Sequence, residues 1–279
     1  MVIKDKKKIF TYIAVSLISI VYLLPFVWLL ATSFKSFAEA FSIPPTLLPR
    51  EFHPENYVEV FRRIPFARYT GNTLLITLSS VVGILISAPM AAFAVSKIKW
   101  KGSKFLFPLM IGCMLIPIQV TLVPLYVTFK KMGWIGTYLP LIVPAFLGGG
   151  LGGGYYIFLL RQFFLGVPDS LIESAELEGA STRLIYWHIM LPLSKAALIT
   201  VGIFMFLNTW SDFMGPLIYL TRDTMYTLGI GLQAFLTSHH VEWHLLMAAS
   251  VLFSIPTLLM FFFAQKYFIE GAKTSGLKF

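Results

Sequence analysis

Few side chains in this sequence can do chemistry, and they gather in three places. From Pro168 to Pro192 the chain turns polar, reading PDSLIESAELEGASTRLIYWHIMLP, with Glu173, Glu176 and Glu178 set among the small residues Ser174, Ala175, Gly179 and Ala180. Carboxylates at helical spacing offer acceptors to a basic partner, and small neighbours let a partner surface approach. The plainer role is a solvated helix face in which Glu173 is an ordinary capping residue. The second place is Asn208-Thr209-Trp210-Ser211-Asp212-Phe213, where Asp212 is the one acid inside an apolar span. A carboxylate at that depth is costly, so it is read as functional and turned toward a bundle interior. Hydrogen bonding between helices is the competing role. The third place is His239-His240, near Arg222, Asp223 and Glu242. Two imidazoles without a placed third ligand do not make a metal site, and none is expected.

Other motifs are excluded by their neighbouring residues. Six glycines fall within Gly148–Gly154, but no Lys-Ser/Thr comes after, so they are not a phosphate-binding loop. They mark either a hinge or close helix crossing, or a weakened helix packed by its neighbours, since each glycine costs a helix about 1 kcal/mol. Gly271-Ala272-Lys273-Thr274 lacks the paired glycine spacing of a nucleotide site. No span offers a nucleophile with its base, so an enzyme is not expected and the chain is expected to bind no cofactor of its own.

The elements that position these residues are membrane helices. The 279 residues are 57% hydrophobic and 13% charged, with a mean hydropathy of +0.77. The apolar residues form six runs long enough to cross a bilayer: Ile9–Thr32, Asn72–Ser96, Phe105–Phe129, Tyr138–Leu160, Ala196–Leu220 and Trp243–Phe268. The first run is too long for a signal peptide and lacks a small-residue cleavage site. With both termini inside, the inner segments and the inner end of the last run hold 14 of the 22 basic residues, including Lys4, Lys6, Lys7 and Lys8 and the cluster Lys97, Lys99, Lys101 and Lys104. The net charge of +9 is therefore a topology signal, and the scattered basic residues argue against nucleic acid. The fold class is all-α, a polytopic membrane protein forming one domain over residues 1–279, with no repeat between its halves. Pro108, Pro117 and Pro124 imply kinks. Cys113, the sole cysteine, is read as a packing residue, and Asn72 as the cap of the second span. In the polar stretch, Ser170 and Glu173 predict a capping box, Gly179 a helix stop and Ser181 the cap of a second short helix, giving an inward-facing hairpin.

The spacing of the polar stretch resembles a known signature. Glu173-Ser174-Ala175, three residues, Gly179, nine residues, then Ile189-x-Leu191-Pro192 is similar to the coupling loop of binding-protein-dependent ABC importer permeases, with Ser174 for Ala and Glu178 for the usual Asp. PFVWLLATSFKS, FLLRQFFLGVPDSLIESA, NTWSDFMGPLIYL and the stretch from Leu245 onward resemble the maltose-type, G-kind half of carbohydrate importers, although the ending Gly271-Ala-Lys-Thr-Ser-Gly-Leu-Lys-Phe279 departs from the family's usual tail. The resemblance implies a transport subunit of a bacterial or archaeal cell (inner) membrane, with both termini cytoplasmic and lipid around it. It implies a second permease subunit in a heterodimer, a cytoplasmic ATPase dimer that alone binds ATP and Mg, and an external solute-binding protein. It implies that Glu173, Ser174, Ala175, Glu178 and Gly179 couple to the ATPase, with Leu191 and Pro192 as the junction. Asn208, Trp210 and Asp212 become candidates to line a sugar path, because hydroxyls seek carboxylates and amides while sugar faces stack on indole. The loop Thr221–Glu242 is a candidate contact for the binding protein. The sugar itself is implied by resemblance alone, and another small polar solute is the alternative.

Rival classes find less support. An ion-coupled transporter usually shows several intramembrane ionisable residues and broken repeats, where this chain has Asp212. A channel needs an acceptor-lined filter, for which the glycine run is the one candidate.

Overall fold

The structure is a computed structural model that describes residues 2–236 and 241–276, the side chains of 2–7, 104 and 266–276 excepted. Every named element is a helix. In chain order they are α1 Val2–Ser33, α2 Phe37–Ala40, α3 Glu55–Arg63, α4 Phe66–Ser96, α5 Ser103–Met114, α6 Ile118–Lys131, α7 Leu139–Phe146 and α8 Gly153–Leu165. Next come α9 Asp169–Leu177, α10 Thr182–Ile185, a π-helical turn Tyr186–Met190, α11 Leu191–Leu193, α12 Lys195–Trp210, α13 Met214–Tyr219, α14 Leu228–Gly231 and α15 Trp243–Gly276.

Three helices are long and apolar enough to cross a membrane unbroken: Lys8–Ser33, Phe66–Ser96 and Trp243–Gln265. Two more candidate spans are bent pairs, Phe105–Met114 with Ile118–Lys131 at 102°, and Thr182–Leu193 with Lys195–Trp210 at 76°. The protein is thus an all-α polytopic membrane protein with three to five such spans by length and composition. Three expected spans differ from straight helices, each for a local reason. Pro117, with no N–H to donate, sits where Phe105–Phe129 breaks. Tyr138–Leu160 is divided by a loop in which Gly148, Gly150 and Gly152 take φ of +72°, +77° and +76°, values that favour glycine. Ala196–Leu220 is interrupted at 211–213, beside Asp212.

The chain contacts fall into two compact units. In the first, residues 1–67 and 231–255, the most apolar window of α1 buries nothing within the chain. Its end is held by polar contacts: the buried Asn56 donates to the carbonyls of Ser33 and Lys35 at 2.9 Å each, and the Ser33 hydroxyl meets Tyr57 Oη at 2.8 Å. Lys35 is 1% exposed, with its ammonium 4.5 Å from the centre of the Trp28 ring and donating to the Thr46 carbonyl. The short helix α3 is amphipathic, with Val60 buried and Arg62 exposed. Arg63 pairs with Glu242 at 2.8 Å.

The second unit, residues 68–230 and 256–279, contains the main core. Small residues on α4 allow close approach: Ser80 and Ser87 donate to the carbonyls of Leu141 and Ala145, and a Cβ on Gly83 would stand 2.6 Å from the Phe146 ring. Ile84, Ala88 and Phe93 of α4 pack with Tyr156, Leu160 and Phe164 of α8, with Ile185 and Met190, and with Val201 and Met205 of α12. Asn72 does not cap α4, which begins six residues earlier. Its amide instead donates to the carbonyls of Thr224 and Tyr226, at 3.0 and 2.9 Å. Cys113 is exposed rather than packed.

Candidate functional site: a polar hairpin and a cavity at the helix breaks

Residues 168–192 fold as two short helices around a tight turn. The predicted capping box is not made: Pro168 is the N-cap, without a side-chain cap bond, and Ser170 presents its carbonyl to Ser174 Oγ at 2.8 Å. Pro168 in the extended region starts the helix by backbone geometry, which leaves Ser170 inside the first turn. The stop at Gly179 forms as predicted, at φ +84°. Gly179 N–H donates to the Glu176 carbonyl at 3.0 Å and Ala180 N–H to the Ala175 carbonyl at 2.9 Å, the two bonds of a Schellman ending. Ser181 caps α10 through the Leu184 amide at 3.4 Å. The π turn Tyr186–Met190 closes with Leu191 N–H on the Tyr186 carbonyl, directly before Pro192, which supplies no donor of its own.

One side of this hairpin joins the core, through Ile172, Ala175, Ala180, Ile185, Tyr186, Ile189, Met190 and Leu191. The other is open. Glu173, Ser174, Glu176, Glu178, Gly179 and Pro192 are exposed, as are Leu177 at 90% and Trp187 at 63%. The structure therefore gathers Glu173, Ser174, Glu178 and Gly179 on the free side, while Ala175 and Leu191 are half-buried. Leu177 and Trp187 were missed in the sequence because apolar residues there read as helix packing. The hairpin is tied at its start, where Lys97, 5% exposed, donates to the Val167 carbonyl at 2.7 Å and pairs with Asp169 at 2.5 Å. That hydrogen bond, with the charge behind it, holds the Asp169 carboxyl below its ordinary pKa. Beside the tie lies a cleft of about 760 Å³, lined by Lys99, Lys101 and Arg161 as well as Glu173 and Glu176. The Arg161 guanidinium stacks 3.7 Å over Phe107.

The second feature is a cavity of about 280 Å³ where the interrupted helices meet. Its wall includes Ile118 and Gln119 after the first break, Gly150 and Leu151 in the glycine loop, and Asp212 in the third. Asp212 accepts from the Gly215 amide at 3.1 Å. Of its sequence companions, Asn208 donates instead to Tyr156 Oη at 2.7 Å, and Trp210 is 1% exposed, stacked on Phe206. The structure thus brings Asp212 to the cavity and turns Asn208 and Trp210 elsewhere. Thr209 and Thr227, which the sequence reading did not single out, line it too; both are buried, with hydroxyls that have no hydrogen-bond partner among the described residues.

In the loop Thr221–Glu242, Asp223 opens a 3-10 turn, and the amide of Leu228 donates to the buried Thr73 hydroxyl at 2.9 Å. His239 and His240 lie outside the described residues. Among the described residues, no three His, Cys, Asp or Glu side chains are grouped to hold a metal.

The hairpin lies within a longer match. Residues 79–273 fit the family described as binding-protein-dependent transport system inner membrane component. The chain belongs to this family. The arabinooligosaccharides transport system permease protein AraQ of Halalkalibacterium halodurans is 30% identical over 269 residues, covering 95% of each chain. The trehalose/maltose transport system permease protein MalG of Thermococcus litoralis is 32% identical over 98% of this chain and 97% of its own. The fold is that of a chain in a bacterial ABC transporter involved in the import of the acidic polysaccharide alginate, with a TM-score of 0.79 at 21% identity, covering 95% of this chain and 97% of that one. As a binding-protein-dependent inner membrane component, this protein is a membrane permease that works with a solute-binding protein and an ATPase.

Proposed function

We propose that this chain is a permease subunit of an ATP-driven importer, passing a sugar or oligosaccharide from an external solute-binding protein into the cytoplasm. The observation that carries the reading is the family match across 79–273, joined by full-length relatives named for arabinooligosaccharides and for trehalose and maltose. Residues 1–279 act as one permease domain of six spans, counting each bent or interrupted pair as one, with both termini cytoplasmic. A second permease subunit completes a heterodimer over an ATPase dimer.

The hairpin 168–192 is the coupling element in this proposal. Glu173, Ser174, Glu178 and Gly179 meet the ATPase, Ala175 backs them against the core, and Leu191-Pro192 passes the movement to α12. The exposed Leu177 and Trp187 supply the apolar contact such a joint needs, since a docking surface gains most from large residues excluded from water. Asp212 borders the solute path, while Asn208 and Trp210 hold α12 in place.

Affinity capture from native membranes tests the assembly, with mass spectrometry expected to identify a second permease, an ATPase and a solute-binding protein. Capture of a homo-oligomer without ATPase would overturn it. For the joint, Glu173→Lys is expected to abolish ATP-driven uptake in proteoliposomes, and normal uptake by that variant would remove Glu173 from the coupling surface.

A further inference from the structure

The cavity at the helix breaks holds a combination that packing alone does not require. Interruptions of two apolar spans, at 147–152 and 211–213, contribute Gly150, Leu151 and Asp212 to its wall, and Ile118 and Gln119, directly after a third break at 115–117, complete it. Irregular backbone within a membrane is tolerated where it is buried in protein or lines a watery cavity, because its free amide and carbonyl groups need partners. Here the breaks converge on one space. Its volume of about 280 Å³ lies near the lower end of small-molecule pockets, about 300–1,000 Å³, and suits a single ring with a few waters.

The polar groups in that space are mismatched in one direction. Asp212 accepts from the backbone amides of Gly215 and Met214, and among the described residues no basic side chain forms an ion pair with it. Gly215 is needed for this approach, since a Cβ there would run into Asp212 Oδ2. Thr209 and Thr227, 6% and 3% exposed, add hydroxyls with no partner among the described residues. Phe129 and Tyr219 form an aromatic corner of the same wall, 5.4 Å apart and edge to face. A ligand that donates to a carboxylate, exchanges hydrogen bonds with hydroxyls and lays apolar C–H faces on aromatic rings is a neutral polyhydroxylated ring. A ligand carrying its own carboxylate would meet Asp212 with no basic side chain among the described residues of the wall to separate the two charges, and like charges so placed are strongly unfavourable.

We propose that this subunit carries its own substrate subsite in the cavity, and that Asp212 makes it selective for neutral sugar rings over uronates. The inference deepens the importer reading and rests on it. Gln119 is exposed at the cavity wall, so the full importer carrying Gln119→Cys in a Cys113→Ser background gives one reporter thiol there. Maleimide labelling is followed with maltotriose, arabinotriose or trigalacturonate present, and Thr121→Cys serves as a second reporter. A neutral trisaccharide at ten times its dissociation constant is expected to slow labelling about tenfold. Trigalacturonate is expected to leave the rate unchanged until Asp212→Asn is added, when it also protects. ATP-driven uptake of the same trisaccharide by the same reporter protein, without protection at either thiol, would overturn the subsite. Equal protection by uronate with Asp212 intact would overturn the charge selectivity. Loss of protection together with absence of ATP-driven uptake by the unsubstituted importer would overturn the importer reading and the subsite with it.

Discussion

Gly179 is the residue whose replacement the structure prices most cleanly. It ends α9 at φ +84°, yet no heavy atom stands within 4 Å of where a Cβ would be. Within this chain a methyl there meets open space, so in the permease freed of its ATPase Gly179→Ala acts through the backbone alone. A left-handed conformation costs a non-glycine residue about 1–2 kcal/mol. That corresponds to a factor of about 5–30 in the balance between the closed turn and its opened forms. The direct assay is hydrogen exchange by mass spectrometry on the detergent-solubilised permease without its ATPase, following the amides at 179 and 180, whose bonds to Glu176 and Ala175 close the turn. Exchange should quicken about 5–30-fold in the alanine variant, with peptides of the α12 core around Val201 and Met205 unchanged. Gly179→Asn should recover part of the protection, because asparagine tolerates this region better than alanine. An alanine variant that exchanges like the parent, or an asparagine variant that exchanges as fast as alanine, would refute the strain argument.

Three further outcomes are expected. Gly215→Ala forces a methyl against Asp212 and within 2.9 Å of Leu141 Cδ2, and should destabilise by about 1–3 kcal/mol, read as a lower thermal midpoint that Leu141→Ala partly restores. Asn56→Ala leaves the Ser33 and Lys35 carbonyls without their buried donor and should cost about 1–3 kcal/mol, measured by chemical denaturation in detergent. The Lys97–Asp169 tie depends on an acid whose folded pKa is lowered, so its contribution is complete above the ordinary carboxylate range and is lost as pH falls through the lowered value. Protection at the hairpin start, exchange taken relative to the intrinsic rate at each pH, should therefore be flat from pH 8 to about pH 5, and in Lys97→Met the Asp169 carboxyl should titrate at higher pH, followed by infrared spectroscopy of isotope-labelled aspartate.

The range of the forces involved decides which features the sequence discloses. Uninterrupted apolar runs were legible because hydrophobicity over about 20 residues is enough to mark a span. Gly179 and Ser181 were legible because helix ends depend on local chemistry. Pro168 took the role expected of Ser170, since both can begin a helix and the backbone settled which did. Pro117 and the glycines were visible as irregularities, but the size of each bend depends on neighbouring helices, as Ser80 and Ser87 show by donating to the carbonyls of α7. The partners of Asn72 are more than 150 positions away, beyond any local pattern. The cavity was the least legible feature. It joins residues from three distant breaks, and only Asp212 among them is conspicuous in an apolar sequence.

The buried ammonium of Lys35 has a consequence for how the first helix lives in lipid. The stretch Lys8–Ser33 has 26 residues and is about 39 Å long at 1.5 Å per residue, against a hydrocarbon layer of about 30 Å. Lys8 stands at one end, and beyond the other Lys35 is locked over Trp28 and onto the Thr46 carbonyl. Sliding the helix by one turn, about 5.4 Å, moves one of these charges toward hydrocarbon, at a cost that reaches about 2.5–3.5 kcal/mol at the bilayer centre. Leaning carries no such cost. The first helix therefore exceeds the layer it crosses by about 9 Å, and leaning takes up that excess without moving either charge to the bilayer centre, so that a thinner membrane reaches this protein as a rotation.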